Sequence, residues 1–188
     1  MTSEGRHVEA DEALQEARER FIALWGQMGS SWGIPRTMAQ VHALLYAVGE
    51  PLNTDEVMEH LGISRGSAST TLRQLLDWGV VWRVHRRGDR KEYFQAEQDV
   101  WKMFRLIIAE RKKKEIDPLL EALEACRGLT DLPPQRRIDS GAAAKQGHNE
   151  RLDRLIEFVR IVDSISQRFI SPSGKGLELA AKLLYRAS

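Results

Sequence analysis

A single cysteine, Cys126, stands in a chain of 188 residues. That count leaves no intrachain disulfide and no zinc site built on cysteine thiolates. No segment approaches the roughly 20 apolar residues that a membrane span requires, so no membrane association is expected. The first twenty residues hold six acids against three arginines. They are acidic and polar without an apolar run, and are read as neither a secretory signal nor a transit peptide. The five histidines (His7, His42, His60, His85 and His148) show no His-Glu-x-x-His spacing, and metal binding is not expected. A nucleophile elbow, a paired-acid motif and a cofactor fingerprint are all missing, so the sequence reads as neither an enzyme nor a cofactor carrier. The expected compartment is the cytoplasm.

What remains is ample apolar surface and an uneven distribution of charge. At 42% apolar and 29% charged residues, the chain can bury a core and has room for one domain with appended elements. Its net charge is only +1, so it is no polycation as a whole. Yet residues 64–91 hold seven bases (Arg65, Arg73, Arg83, Arg86, Arg87, Arg90, Lys91) against Asp77 and Asp89, and that block is locally basic.

Apolar spacing at Val8, Leu14, Ala17, Phe21, Leu24, Trp25 and Met28 predicts a helix over 8–29. Pro35 opens a second helix, with Met38, Val41, Leu44, Leu45 and Val48 inward. Asn53 or Thr54 can cap a third, which carries Asp55 and Glu56 in its first turn, turns Val57, Met58 and Leu61 inward and stops at Gly62. Ser64 caps a fourth, with Ala68, Leu72, Leu75 and Leu76 inward. Its other face (Arg65, Gly66, Ser69, Thr70, Arg73, Gln74) meets no acid before Asp77, whereas a solvated helix face ordinarily mixes acids with bases. Such a face suits an approach to phosphates.

The runs VVWRVHR and KEYFQ read as two short strands joined by a tight Gly88-Asp89 hairpin turn. The Arg-Gly-Asp tripeptide there is turn chemistry rather than an adhesion ligand. A longer helix is expected from Ala96 to about Lys114, broken or kinked at Asp117-Pro118 and continued by Leu119, Leu120, Leu123 and Cys126. Residues 127–148 read as a loop or linker. Over 149–170, Leu152, Leu155, Ile156, Val159, Val162, Ile165 and Phe169 run near a heptad spacing. SPSGKG then reads as a helix break capped by Ser173, ahead of a short final helix over 176–187.

Helix, three-residue turn, helix and hairpin is the order of a winged helix-turn-helix. A major groove about 12 Å wide admits one helix while the hairpin lies alongside over the backbone or minor groove. The stretch NTDEVMEHLGISRGSASTTLRQLLDWGVVWRVHRRGDRKEYFQAEQDVWKMF resembles winged-helix transcription factors of the multiple antibiotic resistance regulator (MarR) type, in their GbsR-like branch. The resemblance reaches back through WGIPRTMAQVHALLYA and forward to about Cys126. It implies a mainly α fold with a small β-hairpin, flanked by N- and C-terminal dimerisation helices. It also implies a homodimeric regulator, read as a repressor, on a roughly palindromic operator of double-stranded DNA. The corresponding division is an N-terminal helix at 1–34, a DNA-binding domain at 35–96 and a helical dimerisation region at 97–188.

By the family pattern Ser64 to Gln74 is the recognition helix, offering Ser64, Arg65, Gly66, Ser67, Ser69, Thr70, Arg73 and Gln74. The wing offers Arg83, His85, Arg86, Arg87, Arg90 and Lys91. Arg65 and Arg73 suit phosphate or guanine, with phosphate favoured because most protein–DNA hydrogen bonds go to the backbone, and Ser69, Thr70 and Gln74 suit base edges. The family's usual wing signature is Asp-x-Arg; here Asp89 is followed by Arg90 and then Lys91, which leaves either cation to enter the minor groove. The alternative function is a winged-helix module that binds protein rather than DNA, against which the basic, acid-poor face argues.

Five tryptophans invite a further reading, since aromatic cages hold quaternary ammonium groups. A choline-like small-molecule effector would be held by Trp25, Trp32, Tyr46 or Trp101. The plainer reading is that these aromatics fill a core or a dimer interface, and Trp101 and Phe104 do share an apolar stripe. Lys112 to Lys114 read as a solvated helix face and Cys126 as a packing residue.

Overall fold

The computed structural model describes residues 3–130 and 142–171, with Glu178, Leu183 and Tyr185; for residues 3–10 and 142–144 it describes the backbone alone. The chain forms two compact units, residues 1–103 and 104–188. The SPSGKG break with its Ser173 cap, and most of the expected final helix, lie outside the described residues.

In the first unit, helix α1 (Ser3–Ser31) packs on α2 (Arg36–Val48). Their close approach depends on glycine: a Cβ at Gly29 would sit 2.5 Å from that of Ala39, inside contact distance. The stripe expected on α1 is only partly inward. Phe21, Trp25 and Met28 are half-buried, Leu14 and Leu24 are exposed, and Ile22, outside the expected stripe, is buried. Helix α2 buries Met38, Ala39, Val41, His42, Ala43, Leu44 and Leu45, more of its surface than its apolar spacing suggested, because α1, α4 and the sheet all pack against it.

Asn53 caps α3 (Thr54–Leu61) through a complete capping box. Its side-chain oxygen accepts from the backbone N–H groups of Asp55 (2.9 Å) and Glu56 (3.1 Å), and Glu56 Oε2 accepts from the Asn53 N–H (2.6 Å). Gly62 ends the helix, and Ser64 Oγ, accepting from the Ser67 N–H at 3.3 Å, starts α4 (Arg65–Asp77). Ala68, Thr71, Leu72 and Leu75 form its buried face.

The hairpin is part of a three-stranded antiparallel sheet of order β1-β3-β2. Strand β2 (Val81–Val84) pairs with β3 (Tyr93–Ala96) in the register Val81 to Ala96 and Val84 to Tyr93. On the other edge β1 (Leu52–Asn53) sets Leu52 opposite Phe94. Strand β1 is only two residues long and carries no readable period. The inward side chains Val57, Leu72, Leu45, Val41, Val80 and Val81 are almost fully buried. Burying a side chain of this kind contributes about 1.5–3 kcal/mol.

Helix α5 (Val100–Arg111) begins later than its sequence suggested. Ala96 stays in β3, and Asp99 Oδ1 accepts from the N–H groups of Trp101 (2.9 Å) and Lys102 (3.1 Å), which fixes the helix start.

In the second unit Asp117-Pro118 does not break the helical path. A π-helical segment (Lys112–Ile116) leads into α6 (Asp117–Gly128), and the Asp117 N–H donates five residues back to the Lys112 carbonyl. Proline, lacking an N–H, is tolerated in the first turn after such a widened one. Lys112 Nζ ties this segment down, 2.5 Å from Asp117 and 2.7 Å from Asp163. Helix α7 (Ala142–Ile170) starts well before the expected 149, because alanine-rich sequence favours helix over linker. It packs against α6 through the buried Ile156 and Val159, flanked by Arg127–Asp153 and Arg160–Glu124 pairs, each at 2.7 Å. Leu155, Phe158, Ile161 and Ile165 on another face of α7 are exposed.

Candidate nucleic-acid interface

The turn Gly62–Ser64 sets α4 behind α3 with its polar side outward. Ser64, Arg65, Gly66, Thr70, Arg73 and Gln74 are exposed, and Ser67 and Ser69 are half-buried. Ser69, Arg73 and Arg83 line one cavity of about 200 Å³ between α4 and the sheet, together with Thr54 and Glu92. Helix and hairpin thus bring three of the sequence-derived residues to a common recess.

The wing is not the tight two-residue hairpin that Gly88-Asp89 suggested. Eight residues, 85–92, separate the paired ends of β2 and β3. The turn lies within them, where the Asp89 N–H donates to the Arg86 carbonyl at 3.1 Å and Gly88 takes φ +86°, a left-handed value that side chains disfavour. Asp89 is a structural residue: Oδ1 accepts from the Lys91 N–H (2.9 Å) and Oδ2 from the Tyr93 hydroxyl (2.7 Å). The first of these bonds, with the second behind it, holds its carboxyl below the usual carboxylate range. Arg86 folds back too. Its guanidinium donates to the Pro51 carbonyl at 2.9 Å and lies 4.1 Å over the Tyr93 ring.

The remaining cations divide sharply. Asp55, in the first turn of α3, accepts from both Arg65 on α4 and Lys91 in the wing, the latter at 3.2 Å. The Lys91 bond first, and then the Arg65 bond, hold the Asp55 carboxyl below its ordinary value and keep it ionised; Lys91 is correspondingly raised. Arg83 Nε lies 3.3 Å from Glu92. Among the described residues Arg73, His85, Arg87 and Arg90 are exposed and make no ion pair or side-chain hydrogen bond. Asp55 was legible in sequence only as a complement to the helix dipole. Nothing local points to partners ten and thirty-six residues away.

The four aromatic residues proposed for an effector do not converge. Trp25 and Tyr46 line a cavity of about 220 Å³ with Phe21, His42, Val100 and Met103. Trp32 and Trp101 are not among its walls. Phe21 lies 5.5 Å from Trp25 and 6.3 Å from Tyr46, ring to ring, and His42 stacks at 6.4 Å on Tyr46. His42 is 5% exposed, its Nε2 has no hydrogen-bond partner, and burial pushes its pKa down to about 4. It is therefore a neutral imidazole at pH 7. Sequence reasoning overlooked it because a histidine on an apolar face carries no motif.

Among the described residues no group of histidine, cysteine or acidic side chains could hold a metal ion, and no helix is long and apolar enough to cross a membrane. Residues 32–92 match the sequence model of the MarR family. The HTH-type transcriptional repressor OpcR of Bacillus subtilis is 26% identical over 157 residues, covering 82% of this chain and 83% of OpcR. The HTH-type transcriptional repressor GbsR of the same organism is 30% identical over 112 residues, 60% of this chain and 62% of GbsR. The fold is similar to the crystal structure of a transcriptional regulator at a TM-score of 0.50 and 22% identity, covering 81% of this chain and 99% of that one. Residues 32–92 thus carry a MarR-type segment in a winged helix-turn-helix arrangement, on a chain similar over most of its length to an HTH-type transcriptional repressor.

Proposed function

We propose that the protein acts as a cytoplasmic homodimer that represses transcription from a roughly palindromic operator. Paired copies of α4 would enter successive major grooves about one helical turn apart, with the wings over the flanking backbone. The observation that carries this reading is the set of exposed arginines without a protein partner among the described residues, Arg73, Arg87 and Arg90, around a helix face free of acids. Arg87 and Arg90 are the wing cations that reach DNA, because Lys91 is engaged by Asp55 and Arg86 by Pro51 and Tyr93. Arg73 meets phosphate, and Ser69, Thr70 and Gln74 meet base edges. The names of OpcR and GbsR, both repressors, support the sign of regulation. Binding to the protein's own promoter fragment as salt is varied tests the reading: a steep loss of affinity with salt is expected. A salt-insensitive or undetectable interaction would overturn it.

The division at 1–34, 35–96 and 97–188 belongs to the same proposal. Dimerisation is supported by the exposed row Leu155, Phe158, Ile161 and Ile165 on α7. A small-molecule effector is the second reading, favoured by the aromatic cavity around Trp25 and Tyr46 and the partnerless His42 Nε2. Calorimetry with choline tests it: saturable heat that Trp25→Leu abolishes supports the effector site, and no heat with the wild-type protein overturns it.

A further inference from the structure

We propose that Asp55 is an internal counter-charge that limits how many cations the interface offers to DNA, and so sets its discrimination against random sequence. This rests on the reading of the surface as DNA-binding. One carboxylate reaches two elements at once, the start of α4 through Arg65 and the wing through Lys91. Arg65 and Lys91 are more than half exposed and Asp55 nearly half, so the carboxylate competes with phosphate for the same donors at the same surface.

Charge arithmetic gives the consequence. Arg65, Lys91 and Asp55 together carry +1; with a neutral amide in place of the carboxylate they would carry +2. Sequence-independent affinity follows the number of phosphates neutralised, whereas base readout does not. An acid at this position therefore suppresses random binding more than operator binding. Arg73, Arg87 and Arg90 have no such partner among the described residues, so the brake acts on two cations and spares the others.

The test compares the full-length wild-type protein with Asp55→Asn, Lys91→Ala and the double variant, on a labelled random-sequence duplex and on the promoter fragment. Asp55→Asn should bind the random duplex several-fold tighter, with a salt slope steeper by roughly 0.9 per protomer. Its preference for the promoter fragment should fall, and Lys91→Ala should cost more affinity in the Asp55→Asn background than in the wild type. Asp55→Ser, which also suits a first helical turn, should reproduce the change, and melting curves establish that each variant is folded. Unchanged or weaker random binding by both folded Asp55 variants would overturn the proposal and make Asp55 a mere tether of the wing. Absence of DNA binding by the wild type would overturn the DNA reading itself, and this proposal with it.

Discussion

Arg86 donates a hydrogen bond to the Pro51 carbonyl at 2.9 Å while its guanidinium covers the Tyr93 ring at 4.1 Å, and so it joins the start of the sheet to the base of the wing. An exposed cation–π contact is worth about 0.5–1 kcal/mol. Arg86→Ala should therefore lower the melting temperature slightly and weaken DNA binding through a looser wing. Arg86→Lys should not restore the wild type, because an ammonium cannot stack and donate in one planar geometry. Equal melting curves for all three proteins would show that Arg86 has no structural share.

Arg87→Ala and Arg90→Ala should behave differently. Neither side chain has a protein partner among the described residues, so stability should hold. Each change should reduce the salt slope of DNA binding by about 0.9 per lost phosphate contact, equally on any duplex. Gln74→Ala should instead alter the ranking of operator variants, which anisotropy competition would register.

The capping box at Asn53 gives a stability prediction independent of DNA. Asn53 is 5% exposed and satisfies two N–H groups of α3. Asn53→Ala should cost about 0.5–2 kcal/mol in denaturant unfolding. Asn53→Ser, which keeps a capping oxygen, should recover much of it.

His42 predicts a pH dependence. Its native pKa, about 4, lies below the ordinary 6.5. Between those values the unfolded chain takes up a proton that the native protein refuses, so stability falls as pH drops from 6.5 toward 4. Fully expressed, the loss is on the order of 3 kcal/mol. His42→Leu should show a shallower acid-side decline than the wild type. Parallel curves would mean that His42 is protonated without penalty.

The row Leu155, Phe158, Ile161 and Ile165 predicts an oligomeric change. Phe158→Glu with Ile165→Glu should shift sedimentation from dimer to monomer while helicity persists, because both side chains are more than half exposed in the single chain. A wild-type monomer at micromolar concentration would remove the dimer from the proposal.

The elements built on long periodicities or cap chemistry were legible in the sequence: α2, α3, α4 and the two hairpin strands all form, with Asn53 and Ser64 at their caps. What escaped reading was set by contacts distant in sequence or by locally silent stretches. Strand β1 exists because Phe94 and Tyr93 offer it an edge. Helix α5 starts at Val100 because Asp99 captures two N–H groups, and the π segment lets Pro118 follow without a break. Composition marked the wing as basic but could not separate Arg86, which folds onto Tyr93, from Arg87, which has no partner among the described residues.

The wing loop interleaves two kinds of residue along five consecutive positions. Arg86 and Asp89 hold its shape, Gly88 turns the chain, and Arg87 and Arg90 stand free of it. Substitution at 87 and 90 therefore leaves the scaffold's contacts intact, whereas substitution at 86 or 89 breaks them. Over evolutionary time this loop can drift in charge in small, separable steps, leaving the hairpin beneath it unaltered.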